Sequence, residues 1–334
     1  MTGTYRLFGV EMSPYSVKVR SYLRYKQIPH QWVVRGAAVQ SEFQTLAKLP
    51  LIPMLVTPDG EVIQDSTPLI AEMERRHPEP ALEPPDAPRA FLSALIEEYA
   101  DEWGNKAMFH YRWTYEADQL SASRRIAQAI LGLDAKEDLL LQAADGVRQR
   151  MVPRLSYVGS HEGTRALIEA SFRRQLEIAE AHFTFRPYLF GGRPCLADLG
   201  FAAQLYELSL DPTPAALMQH FPLTLAYVAR MIWPVETGPF ESWESLAPTL
   251  TPLLQEEVGR RYLPWAHANA LASAAGKSTL SVDLGATKFT QTPQKYHVRS
   301  LTEIRAKAKA AIAAAPELEP LLRDVGCLEG LLAA

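Results

Sequence analysis

Residues 13–16 read Ser13-Pro14-Tyr15-Ser16 and follow the short apolar run YRLFGV. The spacing is that of a C-x-x-C redox motif opening a helix, but serine stands at both cysteine positions. Only Cys195 and Cys327 occur in 334 residues, far apart, so the chain offers no redox pair here, no disulfide framework and no thiolate-rich metal site. Two readings of Ser13 are open on the residues alone. It is a plain N-cap for a helix with proline in its first turn, or its hydroxyl handles a thiol that the chain does not itself own.

Other arrangements with chemical potential give weaker signals. Glu98 and Glu102 fall four apart, as do Glu102 and Lys106; this allows a paired-carboxylate site, but i,i+4 pairing on a solvated face is the expected outcome. Ala275-Gly276-Lys277-Ser278 imitates the end of a phosphate-binding loop, yet the first glycine of that motif falls at Leu271, and the order is helix then strand. The eight histidines show no ligand spacing, so no metal is expected. A formal charge of -4 gives no field for nucleic acid or an anionic membrane. No long apolar run or secretory pattern appears, and a cytoplasmic protein without a membrane span is expected.

The elements that must position Ser13 can be read in order. YRLFGV is a strand; Val19, Tyr22 and Leu23 recur at helical spacing until Gln27-Ile28-Pro29; HQWVVRG is a second strand and residues 41–48 a short helix. LIPMLVTPDGEVIQ reads as two strands joined at Pro58-Asp59-Gly60, and Asp65-Ser66 caps a helix with Pro68 in its first turn that stops at His77-Pro78. This βαβαββα order leads through the proline-laden PEPALEPPDAP into long helical patterns.

With the motif at the first helix, Leu51-Ile52-Pro53 before the third strand and Asp65-Ser66-Thr67-Pro68-Leu69-Ile70 at the last helix, the chain resembles serine-type, bacterial-looking glutathione S-transferases. Ser13-Pro14-Tyr15 is similar to their S-P-F/Y, Leu51-Ile52-Pro53 to their V/I-P with a cis proline, and Asp65 to Ile70 to E-S-x-x-I. PYLFGGRPCLADLGFAAQLY resembles the G-x-x-P-S-x-A-D turn of their helical domain. The resemblance implies an α/β thioredoxin-like domain over 1–80, an all-α domain over 88–240, and an added α/β extension over 241–334. In that extension a helix precedes a hairpin alternating Leu280, Val282 and Leu284, and a basic helix packs Leu301, Ile304 and Ile312 inward.

The resemblance further implies that glutathione is the cosubstrate of a cytoplasmic detoxification transferase that is a homodimer. A thiol of ordinary pKa about 8.5 must be shifted roughly two units, or about 2.7 kcal/mol, to ionise at neutral pH. A hydroxyl bonded to the sulfur anion contributes about 1.5–3 kcal/mol and a helix N-terminus about 0.3–1 kcal/mol. Ser13 would thus hold a borrowed thiolate without a general base. Ile52, through its backbone beside Pro53, would meet the peptide-like spine, Asp65 the γ-glutamyl ammonium, and Ser66 its carboxylate. Met12, Tyr15, Tyr111 and Trp113 would line the pocket for a small hydrophobic electrophile. Three departures stand out: Asp65 is one methylene shorter than the usual Glu, Leu51 replaces a basic residue, leaving Lys48 and Arg35 as candidates for the glycine carboxylate, and Cys195 replaces a capping hydroxyl before Asp198. The alternative to an enzyme is a non-catalytic binding or interaction module on the same fold.

Overall fold

The computed structural model describes residues 3–285 and 288–333. The first part runs β1 (Tyr5–Gly9), α1 (Pro14–Tyr25), β2 (His30–Val34), α2 (Gln40–Leu46), β3 (Met54–Val56), β4 (Val62–Gln64) and α3 (Ser66–Arg76). The sheet order is β2-β1-β3-β4, with β1 parallel to β2 and antiparallel to β3, and β3 antiparallel to β4. Alternation along β1 sends neighbours to opposite faces. Leu7 joins Leu55, Val19, Leu23 and Leu69 under α1 and α3, while Phe8 joins Val33, Met54 and Phe43 under α2. Gly60, at φ 88°, closes the β3–β4 turn, a conformation that suits glycine.

A helical part follows: α4 (Ala87–Tyr99), α5 (Asn105–Thr114), α6 (Glu116–Leu131), α7 (Glu137–Met151), α8 (Glu162–Phe183), α9 (Leu196–Ser209), α10 (Pro212–Met218) and α11 (Pro222–Met231). Asp86 caps α4 by accepting from Arg89 N at 3.0 Å. Between α4 and α5 the chain takes a π-helical turn over Ala100–Gly104. Helix α9 is buried over nearly its whole length and packs against α4 and α1, tying the helical part to the sheet. Together these parts form a thioredoxin-like α/β sheet followed by helices.

The remainder comprises α12 (Trp243–Pro252), a π-helical stretch over Leu253–Tyr262, α13 (Leu263–Ala274), a hairpin of β5 (Leu280–Asp283) and β6 (Lys288–Gln291), then α14 (Lys295–Ala314), α15 (Leu318–Asp324) and α16 (Leu328–Leu332). Leu280, Leu301 and Ile304 point inward, with Ile312 half-buried. Leu246, Leu254, Val258, Tyr262 and Trp265 enter the same apolar core as Leu7, Leu23 and Leu95, so the extension adds to one continuous interior.

Two local expectations are corrected. Glu98 and Glu102 do not lie on a solvated face: Glu102 is buried against Ser300 and His297 of α14, and Glu98 accepts from Tyr262 OH at 3.3 Å. Asp198 is not short of a donor beside Cys195. It accepts from Cys195 N at 3.0 Å, the Cys195 thiol at 3.2 Å, Leu189 N at 2.8 Å and Tyr227 OH at 3.1 Å. The thiol occupies the place of the capping hydroxyl, and burial pushes the Asp198 carboxyl up to about 6 in spite of these donors.

Candidate functional site

The strand register assembles the site. Phe8 pairs with Met54 and Met54 with Gln64, so the exit of β1, the entrance of β3 and the exit of β4 lie side by side at one end of the sheet. The loop carrying Ser13 follows β1, Pro53 immediately precedes Met54, and Asp65 immediately follows Gln64. Three segments separated by up to fifty residues in sequence therefore converge.

Ser13 is extended (φ −122°) and caps α1: its Oγ accepts from Ser16 N at 3.3 Å and its carbonyl from Ser16 N and Val17 N at 3.0 Å. The cap uses the oxygen as acceptor. Among the described residues the hydroxyl hydrogen has no acceptor, which leaves it free to donate to an anion at the helix N-terminus. Ser16 has a different task. It is buried against Gly9, where a Cβ would fall 2.8 Å from the Ser16 Cβ, and so lies under β1.

The helical part grips the loop ahead of Ser13. Glu11 accepts from Arg20 at 2.5 and 2.8 Å and from Tyr206 OH; burial works against its charge, but these donors hold its carboxyl below the ordinary range. The Met12 carbonyl accepts from Arg112 at 3.3 Å, and the Met12 sulfur lies 2.9 Å from Arg125 Nη1. Arg112 is itself buried between Glu207 and Asp211, each at 2.7 Å. The position of Ser13 is thus set from both halves of the molecule.

On the second segment the Ile52–Pro53 peptide is cis. Gln64 pins the approach to it, accepting from Lys48 N and Leu49 N at 2.8 and 3.1 Å and donating to the carbonyls of Leu49 and Leu51 at 2.8 and 3.0 Å. Among the described residues the Ile52 N–H and C=O have no partner, so they can pair with an extended peptide ligand. Leu51 points to solvent, Lys48 is exposed, and Arg35 stacks 4.5 Å over the Phe43 ring.

On the third, Asp65 begins α3 at φ 75°, ψ 131°, a conformation expensive for any residue with a Cβ. Its side chain makes no regular cap bond, although the Ser66 N–H favours its ionised form, and Ser66 itself is buried. Burial raises the Asp65 carboxyl, opposed by Lys18 and Arg299. Beneath it, Lys18 is fully buried, bonded to Glu97, to Asp101 at 2.6 Å and to Thr67 Oγ1 at 3.4 Å. Burial disfavours the Lys18 charge, but Asp101 and Glu97 hold it above the ordinary range.

The four residues expected around an electrophile lie in three settings. Tyr15 is a tie between the two parts: its hydroxyl donates to the Asp101 carbonyl at 3.1 Å inside the π turn and accepts from Asn105 Nδ2 at 3.1 Å. Tyr111 is buried in the main core, stacked on Tyr115 and edge-on to Phe172. Trp113 is 1% exposed and packs in a small apolar cluster that Met12 touches. The apolar bulk of Tyr111 and Trp113 packs among helices. An open cleft of about 490 Å³ lies beside Glu11, lined by Trp32, Val34, Arg125, Ile130 and Leu133. Among the described residues no group of His, Cys, Asp and Glu is arranged to hold a metal ion, and no helix is long and apolar enough to cross a membrane.

A family model for the glutathione S-transferase N-terminal domain matches residues 7–81. Over these residues the chain is similar to the glutathione S-transferase N-terminal domain. Its bounds enclose Ser13, Pro53 and Asp65 alike. Among solved structures, a glutathione S-transferase from Rhodospirillum rubrum is 21% identical with a TM-score of 0.44, covering 74% of this chain and 92% of that one. Another from Methylobacterium radiotolerans, crystallised with glutathione sulfonate, is 18% identical with a TM-score of 0.42, covering 74% and 94%. A β-etherase from Sphingobium is 19% identical with a TM-score of 0.46, covering 68% and 94%. No curated protein matches the chain.

Sequence reasoning missed Gln64, Arg112, Arg125 and Tyr206. Gln64 carried a usable signal, a polar residue ending a strand directly before Asp65. The others did not, because Arg112 meets Glu207 and Asp211 across 95 and 99 positions.

Proposed function

We propose that this protein binds glutathione, ionises its thiol at Ser13 and transfers it to a small electrophile. The observation that carries the reading is the Ser13 hydroxyl, which caps α1 through its oxygen and keeps its hydrogen for an external anion. In this reading Asp65 takes the γ-glutamyl ammonium, Ser66 and the α3 amides its carboxylate, and the Ile52 backbone the cysteinyl amide. The thiolate attacks an electrophilic carbon, forming a C–S bond as the leaving group departs with its electron pair, or adds to an activated double bond that then takes a proton from water. The cleft beside Glu11 is the proposed electrophile surface; its apolar lining favours a hydrophobic substrate and Arg125 an anionic substituent. A detoxification role in the cytoplasm and a homodimer belong to the same proposal.

The test is the ultraviolet thiolate absorbance of bound glutathione against pH, with Ser13→Ala alongside. Bound thiol should ionise about two units below its free value, and the variant should lose roughly one to two of those units, the equivalent of one charge-assisted hydrogen bond. Binding with an unmoved thiol pKa would turn the reading toward a glutathione-binding module without catalysis.

A further inference from the structure

The extension packs on the same ridge as the start of α3. Helix α14 is anchored on the π turn: Glu102 accepts from Ser300 Oγ at 3.3 Å and is bonded to His297 Nδ1, and the His297 ring packs edge-on to Trp265 at 4.8 Å. Its entry is fixed as well, since Gln294 exchanges two hydrogen bonds with Asn269, at 2.8 and 2.9 Å. With His297 and Ser300 turned toward α4, Tyr296 and Arg299 lie together on the adjacent stripe, about 100° around the helix.

The start of α3 abuts the same ridge from the other side. Thr67 Oγ1 donates to Glu97 at 2.9 Å, and Lys18 ties Thr67, Glu97 and Asp101 together. The start of α3 and the first turn of α14 therefore both rest on the ridge formed by α4 and the π turn. The charges agree: Arg299 favours the ionised Asp65, and the Tyr296 hydroxyl is raised by burial and then by the Asp65 carboxylate. Lys18 is committed to its two buried carboxylates. Among the described residues Arg299 pairs with Glu303 alone, at 2.8 Å, with side chains 64% and 54% exposed, a pairing of little energetic worth and readily exchanged. Tyr296 is 54% exposed.

We infer that the extension is a working part of the ligand site, with Arg299 receiving the γ-glutamyl carboxylate and Tyr296 walling the γ-glutamyl chain, so that this end of the site is completed within a single chain. The inference rests on the glutathione reading above and gives the extension a specificity role: it selects a ligand with an α-amino-acid head group over a plain thiol.

The experiment is calorimetric titration of the full-length protein, Arg299→Ala, Arg299→Lys and Tyr296→Ala with glutathione and with cysteinylglycine, which lacks the γ-glutamyl group. Arg299→Ala should weaken glutathione about tenfold or more, with partial recovery in Arg299→Lys and no change for cysteinylglycine. Tyr296→Ala should weaken it several-fold. The pKa of the bound thiol and the melting temperature should stay where they are in the Arg299 variants, which separates a ligand contact from a structural role. Unchanged glutathione affinity in Arg299→Ala, with Ser13→Ala still moving the thiol pKa, overturns the inference and leaves the proposed function standing. A wild-type protein that binds no glutathione overturns both.

Discussion

Asp65 shows how one residue can be held against its own preference. At φ 75° its Cβ is strained by about 1–3 kcal/mol, and its half-buried carboxyl is raised by burial. Asp65→Gly removes both penalties, while glycine gives up about 0.5–1 kcal/mol through the freer unfolded chain. The variant should be more stable by about 1 kcal/mol in urea unfolding and should bind glutathione at least about tenfold more weakly, having lost the ammonium partner. A variant that is both less stable and unaltered in binding would show that Asp65 serves folding alone. Ser13 is different because its two roles use different atoms, so cap and thiolate donor coexist.

Among the elements, the π turn between α4 and α5 organises the most. It directs Asp101 toward Lys18, beside Glu97 of α4, and Glu102 toward α14, and it frees the Asp101 carbonyl for Tyr15 and Asn105. One turn later Lys106 is 1% exposed, bonded to Gln291 Oε1 at 2.9 Å with its ammonium 3.8 Å from the Trp265 ring. Burial pulls its pKa down to about 7, with Glu102 opposing. For a lysine lowered in the folded state, the unfolded chain holds more protons between about pH 7 and its ordinary value, so its contribution becomes more favourable as pH rises through that window. Lys106→Met should therefore stabilise the protein at pH 6 by a few kcal/mol, on the order of the shift itself, and by less at pH 9. Chemical denaturation at the two pH values decides this, and an equal gain at both would refute the buried-charge account.

For the whole molecule, the continuous core predicts one unfolding transition. Trp265 is fully buried, edge-on to Trp103 at 5.8 Å, with its indole N–H on Gln291 at 3.0 Å. Trp265→Ala should destabilise by about 3–5 kcal/mol, lowering a single transition seen coincidently by tryptophan fluorescence and far-ultraviolet circular dichroism. Two separated transitions would mean that the extension folds as its own unit. Because α14 and the π-helical stretch over Leu253–Tyr262 pack against α4, the proposed homodimer must use another surface, and sedimentation equilibrium measures whether it forms.

The sequence by itself determined the order of strands and helices, the Asp65-Ser66 helix start and the serine substitution in the thiol frame, because propensity, capping and proline placement act within a few residues. It also marked Ser13, Pro53 and Asp65 as a set, through resemblance to a known family. Only the tertiary structure decided which charges are buried and which aromatic residues are core, since Lys18–Asp101, Arg112–Glu207 and His297–Glu102 join positions 83 to 195 residues apart. The four-residue spacing of Glu98 and Glu102 is the same whether water or another helix lies against it, and here the extension supplies the helix. Desolvation belongs to the packed molecule, so the tuning of Asp65, Lys106 and the acidic ridge on α4 has no local signature.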